Sequence, residues 1–114
     1  MINDIDNVLA ALGGISGVQL VTRGWPKTDP ATAKLPAIAV QEAGNRPAAH
    51  ADDDELVTEI EYYIRVFART AGECDTLIVA AETVLRQIGY KRTFSYEDFG
   101  ADVKMKVLRM RAYM

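Results

Sequence analysis

His50, Cys74 and the run Asp52-Asp53-Asp54-Glu55 are the side chains in this chain with the most obvious capacity for chemistry. His50 is the sole histidine and could act as a general base. It sits between Ala49 and Ala51 with no positioned partner in view, so a solvated loop histidine is the expected reading. Cys74 falls in the first turn of a helix, where the helix dipole can lower a thiol pKa. Glu73 and Asp75 flank it and oppose the thiolate, so a semi-buried structural cysteine is expected. The acidic run lacks the alternate ligand spacing around a glycine that calcium loops use, so it reads as a solvated acidic loop. Gly13-Gly14-x-x-Gly17 follows a helix and lacks the Lys-Ser/Thr end of a phosphate loop. Lys104, Lys106, Arg109 and Arg111, with Lys91 and Arg92 on the preceding strand, could meet phosphate. Cross-strand pairing with Glu59 and Glu61 is the simpler expectation. Tyr62, Tyr63, Phe67, Phe94 and Tyr96 could stack on bases. Their strand spacing and the acidic balance favour core and interface instead. These residues assemble no catalytic constellation, and no cofactor or metal is expected.

The elements that must position these residues are legible from periodicity. Leu56 to Arg69 alternates strictly: Leu56, Ile60, Tyr62, Ile64, Val66 and Ala68 take the even positions, broken only by Thr58. This is a long strand with one face buried. The odd face mixes Glu59, Glu61, Arg65 and Arg69 with Val57, Tyr63 and Phe67. Apolar surface there implies a cover, from the chain's own loops or from another copy. Ile5, Val8, Leu9 and Leu12 form the stripe of a short helix with Asn3 as N-cap and Gly13-Gly14 as stop. Val18 to Arg23 reads as a short strand. Gly24 to Pro36 is a loop with Pro26, Pro30 and Pro36, opened by Trp25, which the following proline holds extended. Ala37 to Glu42 is a strand, and Ala43 to Asp54 a polar connection.

Thr70-x-x-Glu73 has capping-box spacing. Leu77, Ile78, Ala81, Val84, Leu85 and Ile88 then mark a helix that ends at Gly89. Tyr90 to Tyr96 and Val103 to Tyr113 are the last strands, joined by a turn over Glu97 to Asp102. The final strand changes phase, with Val103, Met105 and Val107 odd but Leu108, Met110 and Ala112 even. Either a bulge near Val107-Leu108 or burial on different faces along its length would reconcile the halves. The order α-β-β-β-α-β-β predicts an α+β domain spanning residues 1–114. It has a mainly antiparallel sheet of five strands with both helices on one face.

The chain has 114 residues, 49% apolar and 25% charged, with a formal net charge of −3. That suits one globular domain and argues against a mainly electrostatic grip on nucleic acid. No apolar run approaches the ~20 residues that span a membrane, and the acidic start M-I-N-D-I-D lacks a signal peptide's basic region. One cysteine excludes an intrachain disulfide, so a soluble protein of a reducing compartment is expected. Long strands apolar on both faces suit a closed oligomer.

The second half carries a resemblance. T-E-I-E-Y-Y-I-R-V-F-A-R (Thr58 to Arg69) precedes a capped helix ending in L-R-Q-I-G-Y-K-R-T-F-S-Y-E-D-F (Leu85 to Phe99), and V-K-M-K-V-L-R-M-R-A-Y (Val103 to Tyr113) closes the chain. Leu35-Pro36-Ala37-Ile38 and Gly89-Tyr90-Lys91-Arg92 stand at matching places. From Leu35 to Ala112 the chain resembles the tail-terminator, or tail-completion, proteins of long-tailed phages and prophages. The resemblance implies a homo-oligomeric ring, commonly a hexamer, at the head-proximal end of the tail tube. Such a ring halts tube polymerisation and meets the head-tail connector. DNA passes through its lumen without specific binding. The protein would be made in the host cytoplasm and end at the head-tail junction of the virion, with no catalytic residue, cofactor or membrane contact. An acidic lumen would repel phosphate, which makes Asp52, Asp53, Asp54 and Glu55 the expected lumen or rim segment. Trp25, Tyr63 and Phe67 are the expected contacts with neighbouring subunits or the tube. The rival readings are a monomeric module that binds a peptide or protein along an exposed sheet edge, and a small enzyme, which would need a concave site with convergent polar groups.

Overall fold

Strict alternation over residues 56–69 does produce the central strand of the molecule. The computed structural model describes residues 3–24, 34–51, 54–100 and 103–114, with only the backbone considered at 49–51 and 54–56. The elements are α1 (Ile5–Gly13), β1 (Leu20–Arg23), β2 (Ala37–Ala51), β3 (Asp54–Ala68), α2 (Ala71–Gln87), β4 (Lys91–Phe99) and β5 (Lys104–Tyr113). The fold is α+β, with a five-stranded mixed sheet of order β1-β2-β3-β5-β4. β1 pairs parallel to β2, and every other pairing is antiparallel.

Both helices lie on the face presented by the even positions of β3. Ile60, Tyr62, Ile64, Val66 and Ala68 share one buried cluster with Val8 and Leu12 of α1 and with Cys74, Leu77, Ile78, Ala81 and Leu85 of α2. Full burial of a Leu or Ile side chain stabilises by roughly 1.5–3 kcal/mol, so this helix-facing layer is the main source of stability. Cys74 is fully buried rather than semi-buried, and its Sγ lies 3.3 Å from the Lys104 carbonyl. Burial pushes its thiol pKa up, away from reactive thiolate.

The ends of α2 follow the sequence closely. Thr70 Oγ1 accepts the Glu73 backbone N–H at 3.2 Å. At the other end Gly89 has φ 101°, and the N–H groups of Gly89 and Tyr90 reach the carbonyls of Arg86 and Leu85. That is a Schellman closure. It turns Tyr90 straight into the core, 1% exposed, where its hydroxyl donates to Asp4 Oδ2 at 2.6 Å. Asp4, not Asn3, holds the cap position of α1. Asn3 Oδ1 still accepts the Ile5 N–H at 3.2 Å, while the Asp4 carboxylate serves Tyr90 and Asn7 instead. One buried hydrogen bond therefore ties the first helix to the start of β4.

Two expectations need correction. The polar connection over Ala43 to Asp54 is not a loop: β2 continues to Ala51 and β3 begins at Asp54, so the two strands run together as a long hairpin. Polar composition misled because β2 beyond Val40 has no strand on its outer side. An edge strand tolerates Pro47, and the register shifts at Ala43, between Pro47 and Ala49 and between Ala49 and His50 absorb the irregular sequence. The second concerns the bulge offered for β5: β5 pairs with β3 without a shift from Lys104 to Tyr113, so of the two readings burial on different faces holds and Val107-Leu108 has no bulge. Val107 and Leu108 are both buried, on opposite faces. The register shift lies in β4 instead, between Arg92 and Phe94.

The hairpin also sets the shape. β5 covers β3 only from Glu59 onward, so the arm beyond it is two-stranded and projects by roughly 15 Å at strand rise. The principal extents are 52 × 25 × 23 Å. The radius of gyration, 14.9 Å, exceeds the about 13 Å expected of a compact chain this long.

Candidate assembly surface

The odd positions of β3 face away from the helices. Side chains there meet their cross-strand partners directly, because opposed residues in an antiparallel sheet share a face. Tyr63 lies between Gln41 of β2 and Arg109 of β5, with Phe94 of β4 next in the row. Beside it, Arg65 lies between Ala39 and Val107, followed by Tyr96. On the other side come Glu61 with Arg111, then Glu59 with Arg46 and Tyr113.

This open face holds an ion ladder. Arg46 Nη2 is 2.7 Å from Glu59 Oε1 and 3.6 Å from Glu61 Oε1. Arg109 Nε bonds Glu61 Oε2, and Arg111 Nη1 is 3.5 Å from Glu59 Oε1. The expected cross-strand pairing of Arg109 and Arg111 with the two glutamates is what the strands place together. Lys106 and Lys104 do otherwise: Lys106 turns to Asp75 of α2 at 2.9 Å, and Lys104 donates to the Gly100 carbonyl. Glu61 is 3% and Glu59 9% exposed, so both carboxylates are largely withdrawn from water beneath guanidinium groups. The hydrogen bond from Arg46 holds the Glu59 carboxyl below its ordinary value, against the opposing pull of burial.

Tyr63 is half-buried at the centre of this face. Arg65 and Arg109 flank its ring, their guanidinium carbons 5.1 and 5.9 Å from the centroid. Both are within cation–π range. Arg65 also donates to Gln41 Oε1 at 2.7 Å. Four arginines against two glutamates make the middle of the face basic in an acidic chain.

Phe67 differs from Tyr63. It lies opposite Ala37 and Met105 and is 6% exposed. A ring so covered offers a partner little surface, so the contact role expected of Phe67 does not fit its burial. Trp25, Asp52 and Asp53 lie outside the described residues. Asp54 and Glu55 are placed by backbone alone, opposite Ala51 and His50 at the arm's tip. His50 is thus in a strand, not in the loop the sequence suggested.

The exposed rings lie elsewhere. Phe94 is 51%, Tyr96 41% and Tyr113 58% exposed, all on the open face, while Phe99, 39% exposed, is on the helix-bearing face. The Phe94 and Tyr96 centroids are 5.5 Å apart. Sequence alone assigned Phe94 and Tyr96 to core or interface without separating the two. Only the strand order, which leaves β4 at the sheet's edge, separates them.

One hollow of about 250 Å³ gathers four charged side chains, Glu82, Arg86, Lys91 and Arg92, of which Arg92 and Glu82 lie 3.5 Å apart. A wider one, about 660 Å³, is lined by Asp4, Asn7, Ala10, Ala11, Ile88 and Met114. Its two polar side chains are bonded to each other, Asn7 Nδ2 to Asp4 Oδ1 at 2.6 Å. No helix among the described residues is long and apolar enough to cross a membrane.

No family model matches this chain, and no curated protein matches it. Among solved structures, the chain is similar to one from the "Virion of native gene transfer agent (GTA) particle". The TM-score is 0.50 at 20% identity, covering 93% of this chain and 83% of the other. At that identity the likeness is one of fold.

Proposed function

We propose that this protein is a structural component of a phage-like virion, a tail terminator that caps the tail tube as a homo-oligomeric ring. The observation that carries this reading is the fold likeness, along nearly the whole chain, to a chain of a gene transfer agent virion. The terminator-like motifs agree with it in place. Leu35-Pro36 leads into β2, and Gly89-Tyr90 closes α2 and opens into β4. In this reading the ring is hexameric, with the tail tube protein on one side and the head-tail connector on the other. DNA passes through unbound, and the acidic segment Asp52 to Glu55 lies at the lumen or rim. The work is assembly and needs no catalysis. The open face, basic at its centre and carrying Tyr63, is the surface for a neighbour.

Sizing and negative-stain imaging of purified protein, alone and with tail tubes, test this reading. Rings are expected, with mass rising with concentration. Tyr63→Asp should keep the fold, since that ring is only half-buried beside two arginines, and should stop ring formation. Phe67→Asp should instead lower the melting temperature sharply, because it buries an unpaired charge. Circular dichroism beside sizing separates the two. A monomer at every concentration, with tubes present as well as absent, would sink the reading and favour a monomeric module. The free edge of β4 is the feature that module would use.

A further inference from the structure

β4 ends the sheet, and no described strand lies beyond it. Free edges invite pairing with another chain, and proteins commonly block them with proline, bulges or a covering element. The free stretch of β2 carries such blocks, Pro47 and repeated register shifts. β4 has a single shift, no proline, and three exposed rings, Phe94, Tyr96 and Phe99. β1, at the sheet's other end, is only four residues long, so β4, with nine, is the long edge left open to a strand.

Its residues are also complementary to themselves. Read from Lys91, the strand is basic at its start, aromatic on either side of Ser95, and acidic at Glu97 and Asp98. An antiparallel copy turned about an axis at Ser95 sets Phe94 opposite the second copy's Tyr96. The register shift then decides the ion pairs. It takes Thr93 out of the count, so Arg92 lies on the helix-bearing face opposite Met110 and Lys91 on the open face opposite Arg111. Glu97 is on the helix-bearing face and Asp98 on the open face, by their partners Lys106 and Met105. Beyond the rings, Arg92 therefore meets Glu97 on one face and Lys91 meets Asp98 on the other. Without the shift, simple alternation would put Arg92 on the open face, level with Asp98 of the second copy.

We propose that β4 pairs antiparallel with β4 of a second copy of this chain about a two-fold axis at Ser95, making one sheet across both copies. The side chains are available for it. Among the described residues neither Lys91 nor Asp98 has an ion-pair partner. Arg92–Glu82 at 3.5 Å and Lys106–Glu97 at 3.9 Å are long contacts, each with one exposed partner. Such contacts hold little energy. The pairing is isologous and closes at two. It is therefore separable from a head-to-tail ring and does not rest on one.

Sedimentation equilibrium of the full chain and charge-reversed variants tests this, with circular dichroism as the check on folding. The wild type should form dimers. Lys91→Asp and Asp98→Lys should each raise the dimer Kd by at least about tenfold, because symmetry counts every reversed pair twice. The double variant Lys91→Asp/Asp98→Lys should return to within about threefold of wild type, since each pair is rebuilt with its signs exchanged. A wild type monomeric throughout overturns the proposal. So do assemblies that no reversal moves, or a double variant no tighter than the singles. Tyr63→Asp, which tests the ring, should leave this dimer intact, so the two ideas fail separately.

Discussion

Glu59 and Glu61 illustrate how a strand can hold charges on a face that carries rings. Two carboxylates almost removed from water persist because Arg46, Arg109 and Arg111 lie across them, each from a neighbouring strand. Removing one partner leaves a buried charge poorly compensated, which costs more than the pair contributes. The Glu59 carboxyl is held below its ordinary value of 4.5. As pH falls, the unfolded chain takes up this proton first, so the stabilisation is complete above about pH 5 and is lost on descending through the lower folded value. Melting temperatures measured from about pH 6 down to pH 3 should therefore fall less steeply for Glu59→Gln than for wild type. Equal slopes would show that Glu59 titrates as it does in the unfolded chain. The pairing of the last strand's arginines with these glutamates was legible from residue types. The part played by Arg46 was not, because it depends on β2 extending past Glu42 and shifting register at Ala43.

At the scale of elements, α2 is the most local piece of the fold and the most legible. Its apolar spacing, its Thr70 cap and its Gly89 stop all act within a few residues of one another. Gly89 is required for its backbone alone: at φ 101° an added Cβ would meet nothing within 4 Å, yet an L side chain is strained there. Gly89→Ala should destabilise by about 1–2 kcal/mol, a fall in melting temperature on the order of 4–8 °C per kcal/mol for a domain near this size. Gly89→Asn should lose less, since asparagine enters that region more readily. A silent Gly89→Ala would mean that Tyr90 does not depend on the helix closure for its place. β2 was half legible: Ala37 to Val40 alternates between β1 and β3, whereas the stretch from Ala43 onward has neither apolar rhythm nor a burial requirement. Backbone pairing with β3 alone makes it a strand, and pairing leaves no mark on composition.

For the molecule as a whole, the arm is the part that contributes least to the core and most to the length. Its strands lie beyond the reach of β5, and none of its described side chains enters the helix-facing cluster. Replacing residues 48–57 by Asn-Gly, which joins the opposed pair Pro47 and Thr58 through a two-residue hairpin turn, should leave the fold standing. The melting temperature should move by less than about 4 °C, on the order of 1 kcal/mol or below. Small-angle scattering should show a smaller radius of gyration. Loss of cooperative melting would make the arm part of the folding unit. What the sequence by itself determined is the inventory: the long strand with its buried even face, the two helices and the caps of α2, the α+β class, and one set of ion pairs. Each of those is written in contacts within a few residues or in a simple period. Tertiary structure alone decided that Phe67 is covered while Phe94 and Tyr96 are open, that β2 and β3 form one projecting arm, and that β4 stands at an edge. Strand order is settled by how layers fit together in space, and burial follows from that order. A side chain's type says how much it gains from being covered, but not which neighbour will cover it.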